Sequence, residues 1–200
     1  MKKLVLLAVL ALALPTAVFA GSSIDYTNSG GTLSGSNSGL SLSGSVLIAV
    51  NGNGGLITGS DLGSMSFETG ALTSGSLQTG GTFASGGWFT ITGNGSNGIP
   101  TGTLFTGTFS GPVTWTMITL SNGTHNYTLT GSLTGTIGSG YSTVGSTVQL
   151  TVNTGKGFFN GCTKISSGDT NVVVPEPGSL SLLGTGLIAM GGMIRRKLKA

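Results

Sequence analysis

Between residues 40 and 153 the chain alternates apolar or β-branched side chains with Ser, Thr and Gly, and no stretch there repeats apolar residues at helical spacing. A period of two sends successive side chains to opposite faces of a strand. The pattern predicts strands over 40–50, 63–68, 71–78, 87–92, 103–109, 113–120, 124–137 and 144–153. Six Asn-Gly pairs, at 51–52, 53–54, 94–95, 97–98, 122–123 and 160–161, supply turn residues that accept positive φ cheaply. Strands at this spacing predict an all-β fold, an antiparallel β-sandwich of about 8–10 strands.

The alternation also sorts the side chains. Across Ser110-Gly111-Pro112 the pattern predicts one hairpin, and across Ser121-Asn122-Gly123 the next. Along this meander Val113, Trp115 and Met117 share one face, as do Tyr127, Leu129 and Leu133, and these are the predicted core. Thr114, Thr116, Thr128 and Thr130 line the other face with hydroxyls. Similar fragments recur, such as 72–77, 104–109 and 129–135, at unequal intervals. A β-solenoid demands a steadier repeat and stands as the alternative fold.

Both ends break the pattern. Lys2 and Lys3 precede an apolar run over 4–14, then Pro15 and the small-residue site ending at Ala20. This is the layout of a secretory signal peptide cleaved between Ala20 and Gly21, and the run is too short to span a bilayer of about 30 Å. An uncleaved anchor helix is the alternative. At the other end three valines lead into Pro175-Glu176-Pro177, a Gly/Leu-rich apolar span over 180–194, and the basic residues Arg195, Arg196, Lys197 and Lys199. The prolines remove backbone donors and hold the segment extended. The span makes about 22 Å of helix, marginal as a permanent anchor, and the basic cluster stays cytoplasmic. The domain reading is therefore a signal peptide over 1–20, an all-β body over 21–170 and a C-terminal signal over 171–200.

The tripeptide, the Gly/Leu-rich span and the basic cluster, in this order at the C-terminus, resemble the bacterial PEP-CTERM sorting signal. That resemblance implies recognition by an exosortase, a membrane cysteine protease or transpeptidase, and export toward the cell envelope, cell surface or exopolysaccharide matrix. Signal peptidase and the Sec translocon are the expected export partners, with transient membrane association through 180–194. An ordinary C-terminal anchor is the alternative.

Composition and charge sharpen this picture. Glycine, serine and threonine number 38, 26 and 29 of 200 residues, whereas charged residues are 6%. That excludes a Glu/Lys-rich coiled coil, and glycine without an every-third-residue period excludes a collagen. The net charge of +3 owes its sign to the two ends, which hold six of the eight basic residues. Residues 21–174 hold four acids, Asp25, Asp61, Glu68 and Asp169, against Lys156 and Lys164, so the body is slightly acidic and offers no basic patch to nucleic acid.

Catalytic constellations are sparse. Asp61 and Glu68 flank a predicted strand at an odd offset, which puts them on opposite faces of a continuous strand, the wrong geometry for paired carboxylates. His125 sits beside a turn and reads as an exposed loop histidine. Cys162 is the single cysteine, unable to form an intramolecular disulfide, and no cofactor or metal site is expected. Trp88, Phe89, Trp115 and Tyr127 are candidates for stacking on sugar rings, with Trp115 favoured as core. The expected function is a non-enzymatic structural or adhesive surface protein. A carbohydrate-binding module, engaging exopolysaccharide through exposed aromatics, is the alternative, and two or more of Trp88, Trp115 and Tyr127 exposed on one face would favour it. A third reading, ice or mineral binding by Thr arrays such as 101–103, 106–108 and 134–136, requires a regular solenoid.

Overall fold

The alternating pattern is realised as strands throughout a computed structural model that describes residues 22–174 apart from Asn53, Ser139 and Val144. Thirteen strands lie among the described residues: β1 (Ser22–Ser29), β2 (Thr32–Ser36), β3 (Gly39–Gly52), β4 (Gly55–Glu68), β5 (Leu72–Ser76), β6 (Gly80–Phe83), β7 (Gly86–Asn94), β8 (Thr101–Phe109), β9 (Val113–Thr119), β10 (His125–Ile137), β11 (Ser146–Asn153), β12 (Cys162–Lys164) and β13 (Ser167–Val174). The signal-peptide helix and the C-terminal membrane helix expected from sequence fall outside the described residues. No helix among the described residues is long and apolar enough to cross a membrane.

The all-β antiparallel expectation holds, with two refinements. The strand count exceeds the expected 8–10, because β1, β2, β6, β12 and β13 are too short or too polar to show a run of β-branched residues. And the strands form one continuous sheet whose hydrogen-bonded path closes. The hub is β10. Its thirteen residues pair with β11 along one edge, while β9 and β8 follow each other along the opposite edge. From β11 the path runs through β13, β1, β3, β4, β7 and β8 back to β10, a ring of eight strands. Two arms leave it: β9–β6–β5, and β2–β12 from the first half of β3. Antiparallel pairing in this non-stepwise order is not a solenoid coil.

The last link is between the two ends of the body. Strands β13 and β1 are hydrogen-bonded neighbours. Asn171 Nδ2 donates to Asp25 Oδ1, and Gly168 abuts the Asn28 side chain, so the strands run in opposite directions.

The ring encloses the core. Phe67, Phe89, Phe105 and Phe109 are all buried, with Phe67 and Phe89 stacked at 5.8 Å and Phe109 edge-on to both. A second aromatic group lies where the arms cover the ring: Trp115 stacks on Tyr127 at 4.9 Å and meets Phe159 edge-on at 5.4 Å. Trp115, Tyr127, Leu129, Leu133 and Val113 are buried as the alternation predicts, while Met117 is only partly so. Rings this large need small partners. A Cβ on Gly131 would stand 2.8 Å from the Phe109 ring, which is why a glycine interrupts the apolar series of β10. Outside the ring, hydroxyls form cross-strand rows, for example Ser66, Thr90, Thr106 and Thr136. Apolar inside and hydroxylated outside is the reverse of a membrane-spanning barrel.

Some polar groups also enter the core. Asn28 donates to Ser45 Oγ at 2.7 Å, Ser45 donates onward to Ser29 O, and Thr170 lies beside the Met65 sulfur. Tyr26 is 4% exposed, and burial pushes its phenol up to about 12. The unfolded chain ionises this phenol near pH 10 while the folded chain holds its proton, so the stabilisation is complete below pH 10 and is lost as pH rises toward 12. Urea melts at pH 9 and pH 11 are expected to show lower stability at pH 11, and Tyr26→Phe is expected to reduce that difference.

Candidate functional sites

The end of β13 is the structural context of the predicted sorting motif. Val172 is buried, and Val173 N donates to Ser146 Oγ at 3.2 Å. The strand is hydrogen-bonded on both sides, to β11 and to β1, and runs to Val174 with Pro175 next in sequence. A register that sets Asp25 beside Asn171 sets Ser23 beside Val173. The body is therefore entered and left at one end of the ring, on neighbouring strands. The residues singled out for sorting and processing, Pro175, Glu176, Pro177, Arg195, Arg196, Lys197, Lys199, Ala20 and Gly21, lie outside the described residues.

The aromatic candidates separate. Trp115 is buried with its Nε1 donating to Leu77 O at 2.9 Å, and Tyr127 is buried with its hydroxyl donating to Gln78 O at 2.6 Å. Phe89 is buried as well. Only Trp88 of the four is exposed, at 44%, with its Nε1 held by Glu68 Oε2 at 3.1 Å. A platform of several coplanar aromatics is thus not assembled.

Two expectations are corrected. Asp61 and Glu68 are both exposed, because β4 bulges: Leu47 pairs with Gly63 but Ala49 with Thr58, leaving residues 59–62 as extra length that resets the alternation. The regular run from Gly63 to Glu68 still separates them by about 17 Å, so distance rather than facing prevents a carboxylate pair. Asp61 instead accepts from Gly63 N and Asn94 Nδ2, tying the bulge to the end of β7. His125 is buried rather than an exposed loop residue, being the first residue of β10. Its Nδ1 lies 3.0 Å from the Thr119 hydroxyl, and its ring stacks at 4.5 Å on Phe158, itself exposed.

Cys162 is exposed on β12. Among the described residues no group of three His, Cys, Asp or Glu side chains could hold a metal ion. The Thr fragments proposed as an array lie on twisted antiparallel neighbours, Thr106 opposite Thr136 and Thr108 opposite Thr134, with a register shift where β7 meets Thr103. A closed ring offers no extended flat Thr plane, so the solenoid that the ice- or mineral-binding reading requires is missing.

The address resides in the chain that follows β13. Residues 173–197 match the family model of the PEP-CTERM protein-sorting motif. No curated protein and no solved structure matches the chain. Beginning within the last strand of an antiparallel all-β body, that match identifies the chain as an exported, envelope-targeted protein carrying a PEP-CTERM sorting motif, with an exosortase as its processing partner.

Proposed function

We propose that this protein is a non-enzymatic structural or adhesive component of the cell surface or extracellular matrix. A signal peptide cleaved between Ala20 and Gly21 delivers it through the Sec translocon, and the tail anchors it until an exosortase cuts near Pro175-Glu176-Pro177. The observation that carries this reading is the sorting motif starting at residue 173, where the last strand of the body ends. A body that is closed, aromatic inside and hydroxylated outside suits a durable exposed component.

Mass spectrometry of the protein from envelope and medium fractions tests the reading. The expected product begins at Gly21 and ends between residues 175 and 178, with or without an attached group. Replacing Pro175, Glu176 and Pro177 together by alanine is expected to leave the tail uncut and the protein in the membrane fraction. Wild-type protein in the envelope still ending at Ala200 would overturn the processing step.

Carbohydrate binding remains the second reading. Trp88, exposed on a hydroxyl-bearing face beside Glu68, is the aromatic that favours it.

A further inference from the structure

We propose that the ring carries a saccharide-binding cleft on its outer face, across β10, β11, β13 and β1, formed by polar residues rather than by aromatics. The cleft has a volume of about 450 Å³, and its lining includes Asp25, Asp169, Asn171, Gln149, Thr147 and Ser132. Alternation aims these residues outward. Leu133 of β10, Val148 and Leu150 of β11, Thr170 and Val172 of β13 and Tyr26 of β1 are buried, so their neighbours in sequence point the other way. Register then aligns them. Ser132 lies opposite Thr147, Thr147 opposite Asn171, and Asn171 bonds to Asp25, while Gln149 lies opposite Asp169 one step along. Pro112, in the turn leading to β9, lines the cleft as well.

The chemistry of the lining selects the ligand. Two carboxylates, two carboxamides and several hydroxyls give a surface rich in acceptors and supplied with some donors. A ligand presenting many O–H groups matches it, since a carboxylate accepts from two neighbouring hydroxyls and a carboxamide bonds in both directions. The Asn171–Asp25 bond fixes one carboxylate in place before any ligand arrives. Charge narrows the class further. Two of the body's four acids meet here and no Lys or Arg lines the cleft, so uronate, sulfate and phosphate groups are repelled. The ligand is a saccharide without acidic groups, neutral or amino-substituted. Four strands at their usual spacing extend the row over about 15 Å, which suits a chain segment rather than a single ring. This inference rests on the adhesive reading and names what is adhered to.

Isothermal titration of the processed, exported protein provides the test, with three probes: neutral β-glucan oligosaccharides, chitosan oligosaccharides and oligogalacturonate. Binding to the first or the second, and not the third, is expected; the two arms tell a neutral from an amino-bearing ligand. Asp169→Asn and Gln149→Ala are each expected to weaken it by about tenfold, the loss of one strong hydrogen-bond partner, with unchanged circular dichroism. Leu56→Ala, at an exposed residue of β4 outside the cleft lining, is expected to leave it within about twofold. No binding by any probe, equal binding of oligogalacturonate, or loss in Leu56→Ala with none in Asp169→Asn would each overturn the cleft. Matrix retention of the wild-type protein, scored by cell fractionation, separates that outcome from failure of the adhesive reading: a retained protein with a silent cleft adheres by other means.

Discussion

Trp115→Ala is expected to destabilise the body by about 4 kcal/mol. Trp115 is 1% exposed and joins the second aromatic group of the core, with Tyr127 stacked at 4.9 Å and Phe159 edge-on at 5.4 Å. Truncation leaves a cavity beside the Tyr127 and Phe159 rings, and the Tyr127 hydroxyl, bonded to Gln78 O and Phe159 N, resists collapse into it. It also deprives Leu77 O of its indole donor. Domains of this size are stable by about 5–15 kcal/mol, so the loss is a large share of the total. Urea unfolding should show a lower midpoint with an unchanged slope. The companion Trp115→Phe retains most of the ring and loses the hydrogen bond, so its cost should be smaller, about 1–3 kcal/mol. A loss below about 1 kcal/mol for Trp115→Ala would mean that the arm β9–β6–β5 does not seal this part of the core in solution.

Gly63→Ala is expected to cost about 3 kcal/mol although it adds one methyl group. Gly63 follows the β4 bulge and pairs with Gly93 of β7. Its φ is +149°, and a Cβ there would lie 1.9 Å from Thr92 O and 2.8 Å from Gly93 Cα. Both obstacles are backbone, so relief requires β4 and β7 to move apart within the ring. Conformational strain adds to the clash. Gly111→Ala, at a glycine with open space around its Cβ position and no positive φ, is the matched control and should change stability by less than about 0.5 kcal/mol. Equal melting temperatures for the two variants would refute the close approach of β4 and β7.

The contrast between these positions marks what sequence alone could convey. Strands β7 to β11 were legible because Phe, Ile, Val, Trp, Tyr and Leu recur at every second position there, and the inward set Trp115, Tyr127, Leu129 and Leu133 followed directly. Strands β1 and β13 were not. Their sequences, SSIDYTNS and SGDTNVVV, place Asp and Asn within strands, which propensity disfavours, and only pairing with distant partners makes them ring members. The cleft was invisible for the same reason: Asp25 and Asp169 become neighbours only once the ring closes. Asp61 was misplaced because a bulge resets alternation without a clear signature in a chain so rich in glycine. The sorting motif was legible because its information lies in the order of residues along the chain.

The contact that closes the ring joins residues 146 positions apart. Such a pairing has a high loop-closure entropy and forms late, after the local meanders of β7 to β11. As the chain is synthesised N-terminus first, β1 keeps one edge unpaired until β13 is available. Completion of the fold is thus timed by arrival of the residues that directly precede the sorting motif. The topology ties closure of the ring to the stretch of chain that leads into the address.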